Sequence, residues 1–91
     1  MSQEKAYKIT LFGKVQGVFI RKTIKDFADQ LGLVGYAKNK KDGSVEIFAQ
    51  GPTLPLTNFL NFCKQGSQFS RIDVVKHEEV LLGTYHQFKV M

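Results

Sequence analysis

The sequence predicts an α+β sandwich of β-α-β-β-α-β order followed by a C-terminal fifth strand, with two helices on one face of an antiparallel-type sheet. Three observations predict it. Apolar residues alternate with period two in several segments, as half-buried strands require. Two intervening segments switch to the i, i+3, i+4, i+7 spacing that lines one side of a helix. Glycine-bearing turns at Gly32, Asp42-Gly43 and Gly66 separate them.

In residues 7 to 15, Tyr7, Ile9, Leu11 and Val15 fall on one side and Lys8, Thr10 and Lys14 on the other, which predicts a first strand. From Lys22 the period changes, and Ile24, Phe27, Ala28 and Leu31 align on one face of a helix that Gly32 ends in the left-handed conformation. A second strand is predicted from Val34 to Lys40. Asp42-Gly43 then turns the chain into a third strand, Ser44 to Gln50, whose Val45, Ile47 and Ala49 share a face. Thr53 can cap a second helix in which Pro55 is tolerated in the first turn. Leu56, Phe59, Leu60 and Cys63 form its apolar stripe and Gly66 its end. Two strands follow, Arg71 to Glu79 and Tyr85 to Val90. No repeat, low-complexity stretch or linker interrupts the series, so residues 1–91 read as one domain.

This order is the split β-α-β arrangement of ferredoxin-like folds. It makes the first two strands parallel and inserts the third antiparallel between them, so that both parallel strands end on the same side of the sheet.

Composition narrows the classes. No apolar run approaches the ~20 residues of a membrane-spanning helix, and Met1 to Lys5 lack the apolar segment of a signal peptide. The expectation is a cytoplasmic chain with no membrane partner. The lone Cys63 has no internal disulfide partner and sits among Phe59, Leu60 and Phe62, which reads as core packing. Charge is unevenly placed: Lys14 to Lys41 hold seven basic residues against two acids, the same +5 that the whole chain carries. That excess favours an anionic ligand near this segment.

The segment contains Gly13-Lys14-Val15-Gln16-Gly17-Val18-Phe19-Ile20-Arg21, which joins the first strand to the first helix. Successive backbone N–H groups in such a turn can converge on phosphate oxygens, and the helix N-terminus adds partial positive charge. A second segment reads Gly35-Tyr36-Ala37-Lys38-Asn39, followed by Asp42-Gly43-Ser44-Val45-Glu46 and Gln50-Gly51-Pro52. Together the two segments resemble the acylphosphatase family, and the resemblance runs from Tyr7 to Phe88. Ile20 stands where that family has an aromatic residue. Its smaller side chain predicts a looser cradle beneath Arg21 unless Phe19 or a neighbouring core residue fills the space.

The resemblance implies an enzyme that hydrolyses acyl phosphates to a carboxylate and inorganic phosphate, with Arg21 and Asn39 as its catalytic residues. It implies a phosphate-binding loop of Gln16, Gly17, Val18, Phe19, Ile20 and Arg21. The residue chemistry agrees. Arg21 offers forked, permanently charged donors to phosphoryl oxygens, and the carbonyl of Asn39 accepts from a water without repelling phosphate. His77 and His86 have no ligand pair at metal-binding spacing, so neither a metal nor another cofactor is expected.

The alternative is a non-catalytic ferredoxin-like anion- or RNA-binding module. An RNA-recognition domain would need stacking aromatics in a Lys/Arg-Gly-aromatic pattern, whereas the third strand reads Ser44-Val45-Glu46-Ile47-Phe48-Ala49-Gln50. No nucleic-acid partner is therefore expected. Similar domains also open larger carbamoyl-transferring maturation proteins. A chain ending at Met91 carries no such partner region, and the expectation is a stand-alone monomer.

Overall fold

The computed structural model describes residues 3–16, 20–65 and 71–91. Its elements are β1 (Glu4–Lys14), α1 (Ile20–Gln30), β2 (Val34–Asn39), β3 (Val45–Pro52), α2 (Thr53–Gln65), β4 (Arg71–Val80) and β5 (Phe88–Val90). The ends differ from expectation by a few residues, and α1 begins at Ile20 rather than Lys22.

The strands order as β4-β1-β3-β2-β5 in one sheet. β3 pairs antiparallel with both β1 and β2, so β1 and β2 run parallel on either side of it, as the split arrangement requires. The sheet is nevertheless mixed rather than antiparallel throughout, because β5 pairs parallel with β2, from Gly35 opposite Phe88 to Ala37 opposite Val90. The reason is the route of the chain. β4 leaves one edge antiparallel to β1, and residues 81–87 cross the helix-free face and reverse, so the chain enters the far edge running with β2. Tyr85 covers Phe48 on that crossing at a ring separation of 4.9 Å instead of joining the ladder, which shortens β5 to three residues.

Both helices pack on the face carrying Ile9, Leu11, Ala37 and Ile47. α1 contributes Ile20, Ile24 and Ala28 to the buried set, while Phe27 and Leu31 pack at its margin. It closes as expected at Gly32, with φ +71°. The Gly32 N–H donates to Asp29 O at 3.1 Å and the Leu33 N–H to Ala28 O at 2.9 Å, the paired bonds of a left-handed helix end. In α2 the whole expected stripe, Leu56, Phe59, Leu60 and Cys63, is buried. Burial pushes the Cys63 thiol up to about 12, so it remains protonated core material near neutral pH. Thr53 does not stand before the helix as a cap. It is the first helical residue, directly after β3, and its hydroxyl donates to Gln3 O at 3.0 Å. The expected helix end at Gly66 lies outside the described residues.

β3 is the central strand, and it is buried on both faces. Opposite the helices, the Gln50 amide exchanges two bonds with Gly83, donating at 3.2 Å and accepting at 2.7 Å, which pins the 81–87 crossing. Beside it the Glu46 carboxylate accepts from the Tyr36 hydroxyl at 2.6 Å. The Lys8, Lys38 and Lys40 ammoniums stand 3.6–3.8 Å from its oxygens. The Tyr36 bond, aided by the three lysines and opposed by burial, holds the Glu46 carboxyl below its ordinary value of 4.5, while burial and that same carboxylate push the Tyr36 phenol up.

A lowered folded-state value means that Glu46 adds stability above about pH 4.5 and loses it as the pH falls through the folded value. Glu46→Gln is expected to cost on the order of 1–2 kcal/mol near neutral pH, the worth of a charge-assisted bond. Thermal melts followed by circular dichroism should show the gap between wild type and variant closing as the pH is lowered from about 5 towards 3. A gap that stays constant across this window would remove Glu46 as its source.

Candidate active site

Two features of the fold bring Arg21 and Asn39 to the same end of the molecule. Arg21 lies in the first turn of α1, immediately after the connection from β1. Asn39 is the last residue of β2, exposed, and opposite Val45 in the pairing with β3. Since β1 and β2 are parallel, both positions lie at the C-terminal ends of their strands. Asn39 also has the parity of Gly35 and Ala37, so it belongs to the helix side of the sheet, where α1 packs.

A third residue connects them. Arg21 Nη1 donates to the main-chain oxygen of Met91 at 2.6 Å. The Met91 N–H donates to Ala37 O at 2.8 Å. The guanidinium is thereby held against β2 two positions before Asn39, through the end of β5. Nothing in the local sequence around Met91 signals this role, because it depends on β5 reaching the far edge of the sheet.

The start of the expected phosphate loop is tied to the same strand end. Gln16 Nε2 donates to Lys40 O and Ser44 O, both at 2.9 Å, and so enters the mouth of the β2–β3 turn. The turn has its own closure: Lys40 N–H to Ser44 O at 2.8 Å and Gly43 N–H to Lys40 O at 3.1 Å. Asp42 Oδ1 accepts from the Ser44 N–H and hydroxyl, and these bonds hold its carboxyl below the usual range. Gly17, Val18 and Phe19 of the loop lie outside the described residues. Ile20 is 2% exposed and belongs to the main core cluster, so a core-facing side chain fills the position of the family's aromatic. Only its main chain can face an anion.

The seven basic residues of the Lys14–Lys41 segment are less available than their sum suggests. Lys22 and Lys25 pair with Asp26 and Asp29 one turn later, at 3.0 and 2.6 Å, and Lys38 and Lys40 face Glu46. A separate groove, lined by Lys8, Thr10, Lys40, Lys76 and Glu78 among others, holds neither Arg21 nor Asn39. Lys8 and Lys40 there serve the Glu46 cluster on the helix-free face. His77 packs edge-on against Tyr7 at 5.9 Å. Among the described residues no three His, Cys, Asp or Glu side chains group as a metal site, and no helix is long and apolar enough to cross a membrane.

Chains of similar sequence and fold are known. The sequence matches the acylphosphatase family over residues 7–90. It is 40% identical over 87 residues to an acylphosphatase of Ligilactobacillus salivarius, covering 94% of this chain and 97% of that protein. The fold is similar to the crystal structure of acylphosphatase from Bacillus subtilis, with a TM-score of 0.92 and 38% identity over 96% of this chain and 98% of that one. It is also similar to the structure of an acylphosphatase from Coxiella burnetii, with a TM-score of 0.92 and 32% identity over 97% of this chain and 93% of that one. On the match across nearly its whole length, the chain belongs to the acylphosphatase family.

Proposed function

We propose that Arg21 and Asn39 carry out the hydrolysis of an acyl phosphate to a carboxylate and inorganic phosphate, the reaction for which the family is named. The observation that supports these roles most is the link from Arg21 through Met91 to β2, which keeps the guanidinium beside the strand end bearing Asn39. The Met91 bond engages one Nη and leaves the rest of the fork for phosphoryl oxygens. In this reading, N–H groups of the first turn of α1 and of the Gln16–Arg21 loop supply further donors and partial positive charge.

An acyl phosphate is a mixed anhydride whose leaving group is a stable carboxylate, so no acid is needed to expel it. The remaining requirement is to hold the phosphoryl group and place a water opposite the leaving oxygen. In this reading Asn39 accepts a bond from that water. The water oxygen bonds to phosphorus, the bond from phosphorus to the acyl oxygen breaks, the carboxylate leaves with the electron pair, and the water's proton is passed to phosphate or solvent.

The fixed charge comes from Arg21 and the helix end, so the reading requires neither a metal nor another cofactor. It further takes residues 1–91 as one domain acting as a cytoplasmic monomer on a small-molecule acyl phosphate. Nucleic acid is not a partner in this reading. Phe48 on the third strand is 9% exposed beneath Tyr85, which leaves it no open face for base stacking.

The test is benzoyl phosphate hydrolysis by wild type, Arg21→Ala and Asn39→Ala, with and without chelator. Activity is expected to survive chelation and to be competed by inorganic phosphate, with amide shifts on phosphate titration concentrated in residues 16–21. Loss in chelator restored by a divalent ion would falsify the metal-free mechanism. Phosphate binding without turnover in wild type would favour the anion-binding module instead.

A further inference from the structure

We infer that the side chain of Gln16 is a positioning residue that acts through Asn39, an inference that rests on the role proposed above for Asn39. In the sequence Gln16 reads as the first member of a phosphate loop. In the structure both hydrogens of its amide are engaged elsewhere, on Lys40 O and Ser44 O at 2.9 Å. These two carbonyls flank the β2–β3 turn, and Lys40 directly follows Asn39. The side chain is therefore a clamp between the segment that enters α1 and the hairpin that carries Asn39.

The clamp answers a geometric problem. Arg21 and Asn39 belong to different elements, and water placement needs the Asn39 amide fixed relative to the bound phosphoryl group. The β2–β3 ladder fixes Asn39 on one side through its pairing with Val45, but the turn beyond it is an exposed hairpin tip at Lys40 to Gly43. Gln16 connects that tip to the loop entrance across 24 residues of sequence for Lys40 and 28 for Ser44. Losing it leaves each carbonyl only the backbone donor of the turn itself, Gly43 N–H on Lys40 O and Lys40 N–H on Ser44 O, so the tip is no longer tied to the segment that enters α1 and is free to shift against it.

The prediction separates turnover from binding. Gln16→Met keeps a similar length and removes both donors. It is expected to lower kcat on benzoyl phosphate about 10- to 100-fold, the scale of a misplacement near 1 Å, while KM and phosphate affinity change by less than about twofold. The decisive measurement is a double-mutant cycle with Asn39→Ala. If Gln16 acts through Asn39, Gln16→Met costs no more than about twofold further in the Asn39→Ala background. Losses that multiply would overturn the inference, as would a fall in phosphate affinity that matches the fall in kcat/KM. Gln16→Glu, which keeps the shape and replaces the donor by an acceptor, goes through the same cycle and decides the matter if the Met variant does not fold. Wild-type turnover in Asn39→Ala alone would overturn the role of Asn39 itself, and that result is read without touching Gln16.

Discussion

Replacing Arg21 with Lys is expected to lower kcat/KM on benzoyl phosphate by about a thousandfold, equivalent to ~4 kcal/mol of transition-state stabilisation. The substitution retains a positive charge, so the loss measures geometry. A guanidinium presents parallel donors in a plane, and here one of them is engaged by Met91 O at 2.6 Å, which sets the orientation of the others. An ammonium on a flexible stem has neither the fork nor the second anchor. The loss should appear in both KM and kcat, because in the role proposed for Arg21 the fork grips phosphoryl oxygens in substrate and transition state alike. Arg21 is only half-buried, so the change in folding stability should stay within about 0.5 kcal/mol, and thermal melts check this. Near wild-type turnover by a folded Arg21→Lys protein would show that general positive charge suffices and that the bond to Met91 has no part in catalysis.

Gly35→Ala is expected to destabilise the fold far more than alanine at Gly32 or Gly43, two positive-φ glycines with open space where a Cβ would stand. Gly35 has φ +141°, a backbone conformation L-residues rarely adopt, and a Cβ built there meets the main-chain carbonyl of Phe48 on β3 well inside contact distance. Backbone cannot swing aside as a side chain can. Relief would require β2 to move away from β3 in the middle of the sheet. Strain at such a position costs about 1–3 kcal/mol, and disturbing the ladder brings the expected total to at least ~3 kcal/mol. In a domain of this size that corresponds to a fall in Tm of roughly 12–24 °C. Gly43→Ala is the control: its φ is +91°, but no atom lies within 4 Å of the added Cβ, so only the backbone term remains, about 1 kcal/mol. Urea unfolding of both variants makes the comparison. Equal losses at Gly35 and Gly43 would show that the close approach to Phe48 contributes nothing. The segment also carries Asn39, so a folded Gly35→Ala protein should lose turnover as the strand end shifts.

Much of this molecule is readable from local pattern. The α2 stripe of Leu56, Phe59, Leu60 and Cys63 is buried in full, Gly32 ends α1 in the left-handed region, and Asp42-Gly43 turns β2 into β3. These features are local because period, turn conformation and helix ending are set by residues within a few positions of one another. The motifs holding Arg21 and Asn39 are legible for the same reason, and the split β-α-β order places them at one end of the sheet.

Only the tertiary structure decided which distant groups meet. The periodicity of β3 identifies Val45, Ile47 and Ala49 as one buried face, but the burial of Glu46, Phe48 and Gln50 opposite them follows from the crossing at 81–87 and from Tyr36 on the neighbouring strand. The direction of β5 depends on that same crossing. So does the Met91 contact with Arg21, which joins residues 70 apart in sequence. Gln16 shows the distinction at a single residue: its motif marks it as part of an anion loop, whereas its amide is committed to two carbonyls of a hairpin 24 and 28 residues away. A sequence pattern reports which side of an element is apolar and where the chain can turn. It carries no record of which polar partners burial will bring within hydrogen-bond reach, because that is set by sheet order and by the path of the chain across its face.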